Sequence, residues 1–198
     1  MRVVVVGCGY VGLELARQLA ERGHTATGVR RSDAGLKAIR SVGATNTESG
    51  GGGEVDAVRA DATDRASLAA LPDADAVVFA ASSGGRGAEA AREVYVEGLQ
   101  NVVEAYGSRA ETPDRLVYTS STGVYGDHGG AWVDETTPIE PTTEKTCVLA
   151  EAERVALEET TEVGIDGTVA RFAGLYGPER YRLERYLEGP VVEGYLNM

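Results

Sequence analysis

Lysine, histidine, cysteine and tryptophan are all scarce in this 198-residue chain, and each scarcity closes off a class of function. The two cysteines are Cys8, inside a glycine run, and Cys147, in a polar stretch. They have no CxxC spacing, and with two histidines in all neither a disulfide scaffold nor a zinc site is encoded. A chain of this length buries roughly 70% of its unfolded surface and needs no cross-link. A reducing, cytoplasmic setting is expected. No apolar run approaches the roughly 18 residues of a membrane helix. Met1-Arg2 and the four valines that follow lead into a glycine loop rather than a signal cleavage site. Neither membrane association nor export by that route is expected.

Positive charge is also in short supply. There are 31 acidic residues against 19 basic ones, for a net charge of −12, and only Lys37 and Lys145 are lysines. A phosphate backbone demands a basic face, so nucleic acid is excluded as a partner and a small-molecule substrate is expected. Carboxylate-rich, lysine-poor surfaces suit concentrated salt, which points to a halophilic origin. In molar salt the screening length falls to about 3 Å, so local arginines rather than net charge would decide anion binding.

What the chain does have is strict alternation. Arg2 to Val6 reads as a strand buried on both faces, and Val11, Leu15 and Leu19 recur at helical spacing after it until Arg22-Gly23. Further strands are expected at Thr25 to Val29, Val55 to Ala60, Ala76 to Ala81, Leu116 to Thr119 and Thr168 to Arg171. Helices are expected to end at Lys37 to Val42 and to cover Ser67 to Leu71, Ala88 to Tyr106 and Glu144 to Glu159. Thr45 to Gly53, with four successive glycines, reads as a flexible loop. Alternation of this kind predicts an α/β fold, a doubly wound parallel sheet in a three-layer Rossmann-type sandwich, with residues 1–198 as one dinucleotide-binding domain.

The first strand runs into Gly7-Cys8-Gly9-Tyr10-Val11-Gly12, a G-x-G-x-x-G run that opens a helix. In that context Gly7 serves the turn, Gly9 the approach of a pyrophosphate and Gly12 close helix packing, with the helix N-terminus favouring the anion. Arg30-Arg31-Ser32 follows the second strand with no carboxylate before Asp33. Two guanidiniums there favour a 2′-phosphate, hence NADP over NAD, and the Ser32 hydroxyl adds a donor. Asp61, with Ala62 beside it, is placed to contact adenine, while Asp64 charges the next helix start. Ala80, Ala81, Ser82 and Thr119 complete the strand ends that would line the ligand crevice.

These landmarks come in a recognisable order. They are Gly7 to Gly12, Arg30, Asp61, Val77 to Ser82, the Tyr95-to-Val103 helix, Val117 to Gly126 and Arg171 to Pro178. In that order the chain resembles the extended short-chain dehydrogenases/reductases, and looks like their atypical branch of NAD-dependent epimerases/dehydratases acting on nucleotide sugars and similar substrates. The resemblance implies that Ser121 hydrogen-bonds a substrate oxygen. It also implies a Tyr-x-x-x-Lys acid/base pair, and here the chain departs from it. No tyrosine occurs from Trp132 through Phe172, and the expected place offers Thr143, Glu144 or Lys145. A threonine hydroxyl cannot replace a phenol of pKa about 10. Tyr125, Lys145 and His128 remain as lesser acid/base candidates, the last because an imidazole suits proton transfer near neutrality. Asp134 and Glu135 are expected to cap the loop that carries His128, and Trp132 to pack. Two readings stay open: an NADP-preferring oxidoreductase, epimerase or dehydratase, and a non-catalytic NADP-binding sensor or regulator. The resemblance further implies a small C-terminal substrate domain largely missing from this chain, apolar surface exposed around Leu175, Val191 and Leu196, and a homodimer through helices 88–106 and 144–159.

Overall fold

The computed structural model describes residues 1–48, 52–84 and 87–180. In chain order its elements are β1 (Arg2–Val6), α1 (Tyr10–Glu21), β2 (Thr25–Arg30), α2 (Asp33–Glu48), β3 (Val55–Arg59) and β4 (Ala76–Phe79). These are followed by α3 (residues 87–107), β5 (Arg115–Ser121), α4 (residues 144–162) and β6 (Asp166–Phe172), with 3₁₀ turns at Ser67–Ala70 and Thr122–Tyr125.

Four successive valines make β1 a strand, because β-branched side chains are stiff and suit a pleated surface. Their alternation feeds two cores. Val4 and Val6 join Phe79, Leu99, Leu116 and Tyr118 in a large cluster under α3 and α4. Val3 and Val5 join Cys8, Ala16 and Ile39 in a smaller one under α1 and α2. Burying each such side chain contributes about 2 kcal/mol, which makes β1 the keel of the sheet. The sheet is six-stranded and parallel throughout, in the order β3-β2-β1-β4-β5-β6. The order in which strands are added reverses between β1 and β4, so the crevice outside their carboxyl ends is the switch point where ligands bind in such folds. The expected doubly wound sandwich is therefore the observed one.

The differences lie at element ends. Thr45 to Glu48, read from sequence as loop, belong to α2, where Thr45 Oγ1 donates back to the Ser41 carbonyl at 3.0 Å. The loop signal came from the glycines beyond them, and residues 49–51 lie outside the described residues. β6 runs from Asp166 rather than Thr168, in register with the whole of β5 from Arg115↔Asp166 to Ser121↔Phe172. It is an edge strand with half-exposed residues, so it lacks the apolar run that marks a central strand. Helix α3 is not uniform either: Glu93–Glu97 is π-helical between the α-helical Gly87–Arg92 and Gly98–Gly107. Its wider turn lets the adjacent Tyr95 and Val96 both face inward. A second π-helical turn, Val155–Glu159, interrupts α4.

Leu175 is 38% exposed, as expected of that patch. Gly85, Val191 and Leu196 lie outside the described residues. Trp132 corrects its expectation: it is fully exposed and packs against nothing, because the loop that carries it stands outside both cores. Among the described residues no helix is long and apolar enough to cross a membrane.

Candidate functional site: a dinucleotide cleft

A cleft of about 1360 Å³ runs along the carboxyl edge of the sheet, from Arg31 and Asp61 at one end to Ser121 and Lys145 at the other. Its middle is the glycine turn. Gly7 has φ +81°, the left-handed region, and a Cβ there would run into the backbone of Ala81. The turn is closed by Gly7 and Cys8, whose amides donate to the Val29 carbonyl at 3.2 and 3.1 Å. Gly9 caps α1 and offers no side chain to its first-turn amides, which stand at the positive end of the helix dipole. Tyr10 and Val11 line the cleft beside it.

Two residues of the motif do not reach the cleft. Gly12 is buried against β1, where a Cβ would come within 2.9 Å of Val5 Cγ1, so it serves packing. Cys8 is 1% exposed with its thiol turned toward Gly28, and burial pushes that thiol up to about 11 against the opposing charge of Arg30. Cys8 thus contributes backbone to the turn, and its side chain belongs to the core.

At the outer end, Arg30, Arg31, Ser32, Asp61 and Ala62 converge as the sequence suggested. Arg31 Nη1 donates to Asp61 at 3.2 Å, and Asp61 also accepts from the Thr63 amide and hydroxyl. Burial raises the Asp61 carboxyl, but these donors outweigh burial and hold it below the usual carboxylate range. Arg59 pairs with Asp33 and donates to the Arg31 carbonyl, bracing the turn from beneath. The Ser32 hydroxyl accepts from the Gly35 amide at 3.2 Å. Arg30 makes no ion pair among the described residues, and its Nη1 lies 2.9 Å from where a Gly9 Cβ would stand. Its guanidinium therefore lies beside the glycine turn.

At the inner end, Ala80, Ala81, Ser82, Thr119 and Ser121 line the cleft. Thr119 Oγ1 donates to the Phe79 carbonyl at 3.2 Å, while Ser121 Oγ accepts from the Gly123 amide at 3.2 Å and keeps its proton for another partner. Lys145, on the exposed first turn of α4, reaches the same space. Tyr125 and His128 do not. The Tyr125 phenol donates to the Asp134 carbonyl at 2.8 Å and accepts from Arg171 Nη1 at 2.8 Å, with the guanidinium 4.8 Å above its ring. That leaves no free phenol there. His128 packs edge-on against Tyr125 at 6.4 Å, and its Nε2 is buried without a partner among the described residues. Asp134 caps its loop as expected, accepting from the amides and hydroxyls of Thr136 and Thr137.

Beneath this end lies a network the sequence did not disclose. Glu153, 2% exposed, accepts from Ser120 Oγ at 2.6 Å and is forked by Arg171 at 2.7–3.1 Å. The Glu153 carboxylate, followed by the Tyr125 hydroxyl, raises the already high pKa of Arg171 against the opposing effect of burial. Glu93, Val94 and Arg180 are further lining residues that no spacing marked. Arg180 sits 4.7 Å over the ring of Tyr10. One step behind the wall, the Tyr95 phenol oxygen accepts from Ser83, whose amide and hydroxyl approach to 3.3 and 3.2 Å.

The family model for the NAD dependent epimerase/dehydratase family matches residues 3–188 of the chain. Protein YeeZ of Escherichia coli K12 is 34% identical over 180 residues, which is 91% of this chain and 61% of YeeZ. A Methylobacillus flagellatus structure assigned to the NAD-dependent epimerases/dehydratases has a TM-score of 0.70 at 30% identity, covering 96% of this chain and 61% of that one. A UDP-galactose 4-epimerase shares the fold, with a TM-score of 0.74 at 23% identity over 92% of this chain and 59% of its own. The chain thus spans about three fifths of the length of the relatives it matches.

Proposed function

The chain belongs to the NAD dependent epimerase/dehydratase family, and from the cleft we propose that it binds NADP in preference to NAD and oxidises or reduces a hydroxyl or carbonyl carbon of a small or nucleotide-linked substrate. The observation that carries this reading is the glycine turn. A Cβ at Gly7 would collide with the Ala81 backbone and one at Gly9 would crowd Arg30, so both positions need glycine, and the uncapped start of α1 lies beside them. A pyrophosphate fits that cradle by size and by charge.

Arg30 and Arg31 favour a coenzyme carrying a 2′-phosphate, since a guanidinium offers forked donors to a phosphate and a carboxylate would repel it. Asp61, held ionised by the Thr63 amide and Arg31 against its partial burial, would accept from the adenine amino group. At the inner end Ser121 donates to the substrate oxygen and Lys145 supplies a positive field near it. When bound, the nicotinamide supplies hydride transfer, and Ala80, Ala81 and Ser82 are the backbone over which its ribose would pass.

Fluorescence titration with both reduced coenzymes tests the assignment. NADPH should bind at least ten-fold more tightly than NADH, a difference of about 1.4 kcal/mol. Equal affinities would remove the 2′-phosphate site, and no binding of either would remove the function.

A second reading, a coenzyme-binding sensor without turnover, is favoured by the absence of tyrosine between Trp132 and Phe172. Turnover of any carbonyl substrate that falls in a Ser121→Ala variant would reject it.

A further inference from the structure

The phenol missing from its expected place has a counterpart on another helix. Tyr95 occupies the π-helical turn of α3, where one extra residue per turn re-aims side chains, and such turns are frequent at functional sites. Its ring is buried, yet its oxygen reaches Ser83, which lines the cleft together with Ser82, Glu93 and Lys145. In this arrangement the phenol oxygen accepts both a backbone N–H and a hydroxyl. Two donors aimed at one phenol oxygen favour its anion.

We propose that Ser83 and Tyr95 form the proton relay of this site: the Ser83 hydroxyl contacts the reacting hydroxyl of the substrate, and Tyr95 stores the proton behind it. In the oxidative direction the substrate O–H bond breaks and its proton passes to Ser83 Oγ, while the proton of Ser83 passes to the Tyr95 phenolate and leaves a neutral phenol. The C–H pair departs as hydride to the oxidised nicotinamide coenzyme, and the electrons of the broken O–H bond form the carbonyl. The reductive direction reverses each transfer.

The surroundings favour the charged form of Tyr95. Burial by itself would raise the phenol, but the Ser83 hydroxyl and amide, the Ser82 hydroxyl and the Lys145 charge outweigh it and hold Tyr95 below the usual tyrosine value. Tyr118 of β5 also faces it, and Tyr118 in turn feels Glu153 of α4. Tyr118 does not compete as a phenolate: burial, then Tyr95 and Glu153, push its phenol far up, and its hydroxyl has no partner among the described residues. Lys145 thus acts here through the phenol, a role distinct from replacing it.

The relay rests on the dinucleotide reading above, yet it is testable in the free protein. The full chain, labelled with ¹³C at the tyrosine ζ carbon, is titrated by NMR. One phenol should ionise below the ordinary value of about 10, and its signal should vanish in Tyr95→Phe. It should move up by about half a pH unit or more in Ser83→Ala and in Lys145→Met. Saturating NADP⁺ or NAD⁺ should move it down by a similar amount, because an oxidised nicotinamide ring is cationic and would enter the cleft that Ser83 lines.

A lowest-titrating phenol that survives Tyr95→Phe would overturn the relay, as would a Tyr95 signal indifferent to both Ser83→Ala and bound coenzyme. If Tyr95→Phe does not fold, the two variants of the cleft wall decide by themselves. Failure of both coenzymes to bind would refute the dinucleotide reading, and the titration of the free chain would still judge whether Tyr95 is the ionising group.

Discussion

The two ends of the cleft are built in opposite ways. The proposed coenzyme end is assembled from short stretches at successive strand ends, residues 7–12, 30–32 and 61–62, and much of it is backbone: the glycine turn, an uncapped helix start, a carbonyl at Val29. The chemical end is assembled from side chains far apart in the chain. Ser83 meets Tyr95, Ser120 meets Glu153, and Arg171 meets both Glu153 and Tyr125 across 18 and 46 residues. A site made of local backbone tolerates change in its surroundings; one made of a buried side-chain network does not, because removing a member strands its partners.

That contrast is sharpest at Glu153. Replacing Glu153 by Ala leaves the Arg171 guanidinium and the Ser120 hydroxyl without their acceptor, which should cost about 3 kcal/mol or more by urea unfolding. A loss under about 1 kcal/mol would mean that the network is decoration, and the comparison would fail. Gly7→Ala probes the other end. The left-handed backbone costs a side chain roughly 1–2 kcal/mol before any overlap with Ala81 is counted. Coenzyme affinity should fall more than ten-fold while the network at the inner end keeps its hydrogen bonds, as amide exchange would report.

Arg30→Ala should weaken NADPH binding about ten-fold and NADH binding less than two-fold, since one charge-assisted contact to a phosphate is lost. Arg31→Ala should do less, because Arg31 is 70% exposed and already shared with Asp61. The smallest effect belongs to Asp61→Asn, under about 1 kcal/mol at pH 6 for so exposed a pair. Its sign is definite. A carboxyl held low in the folded chain stabilises above its unfolded value of about 3.9, and that contribution disappears as pH falls through the lower folded value. The melting difference between wild type and variant should therefore narrow as pH falls from 6 to below the unfolded value of about 3.9.

The same contrast explains what could be read in advance. Helix α1 and its glycine turn were legible because a βα turn writes its requirements into adjacent residues: Gly7 for φ, Gly9 for approach, Gly12 for packing. Cys8 sits inside that motif yet turns away, since alternate side chains in a turn face opposite sides and no spacing says which. Tyr125 looked available because it follows Ser121 by four residues. Its phenol is taken by Arg171 and Asp134, partners no local pattern announces. In the sequence Tyr95 is only one residue of a helical run. Its turn toward Ser83 depends on a π-helical widening, which hydrophobic spacing at 3.6 residues per turn does not reveal.

By itself, then, the order of residues determined the parallel sheet, its switch point and the glycine turn, because burial of alternating apolar runs and the steric freedom of glycine act over a few residues. Only the tertiary structure decided which polar side chains share the inner end of the cleft. Hydrogen bonds and ion pairs between distant elements form wherever packing brings donors and acceptors within about 3 Å of each other, and that proximity belongs to the folded chain.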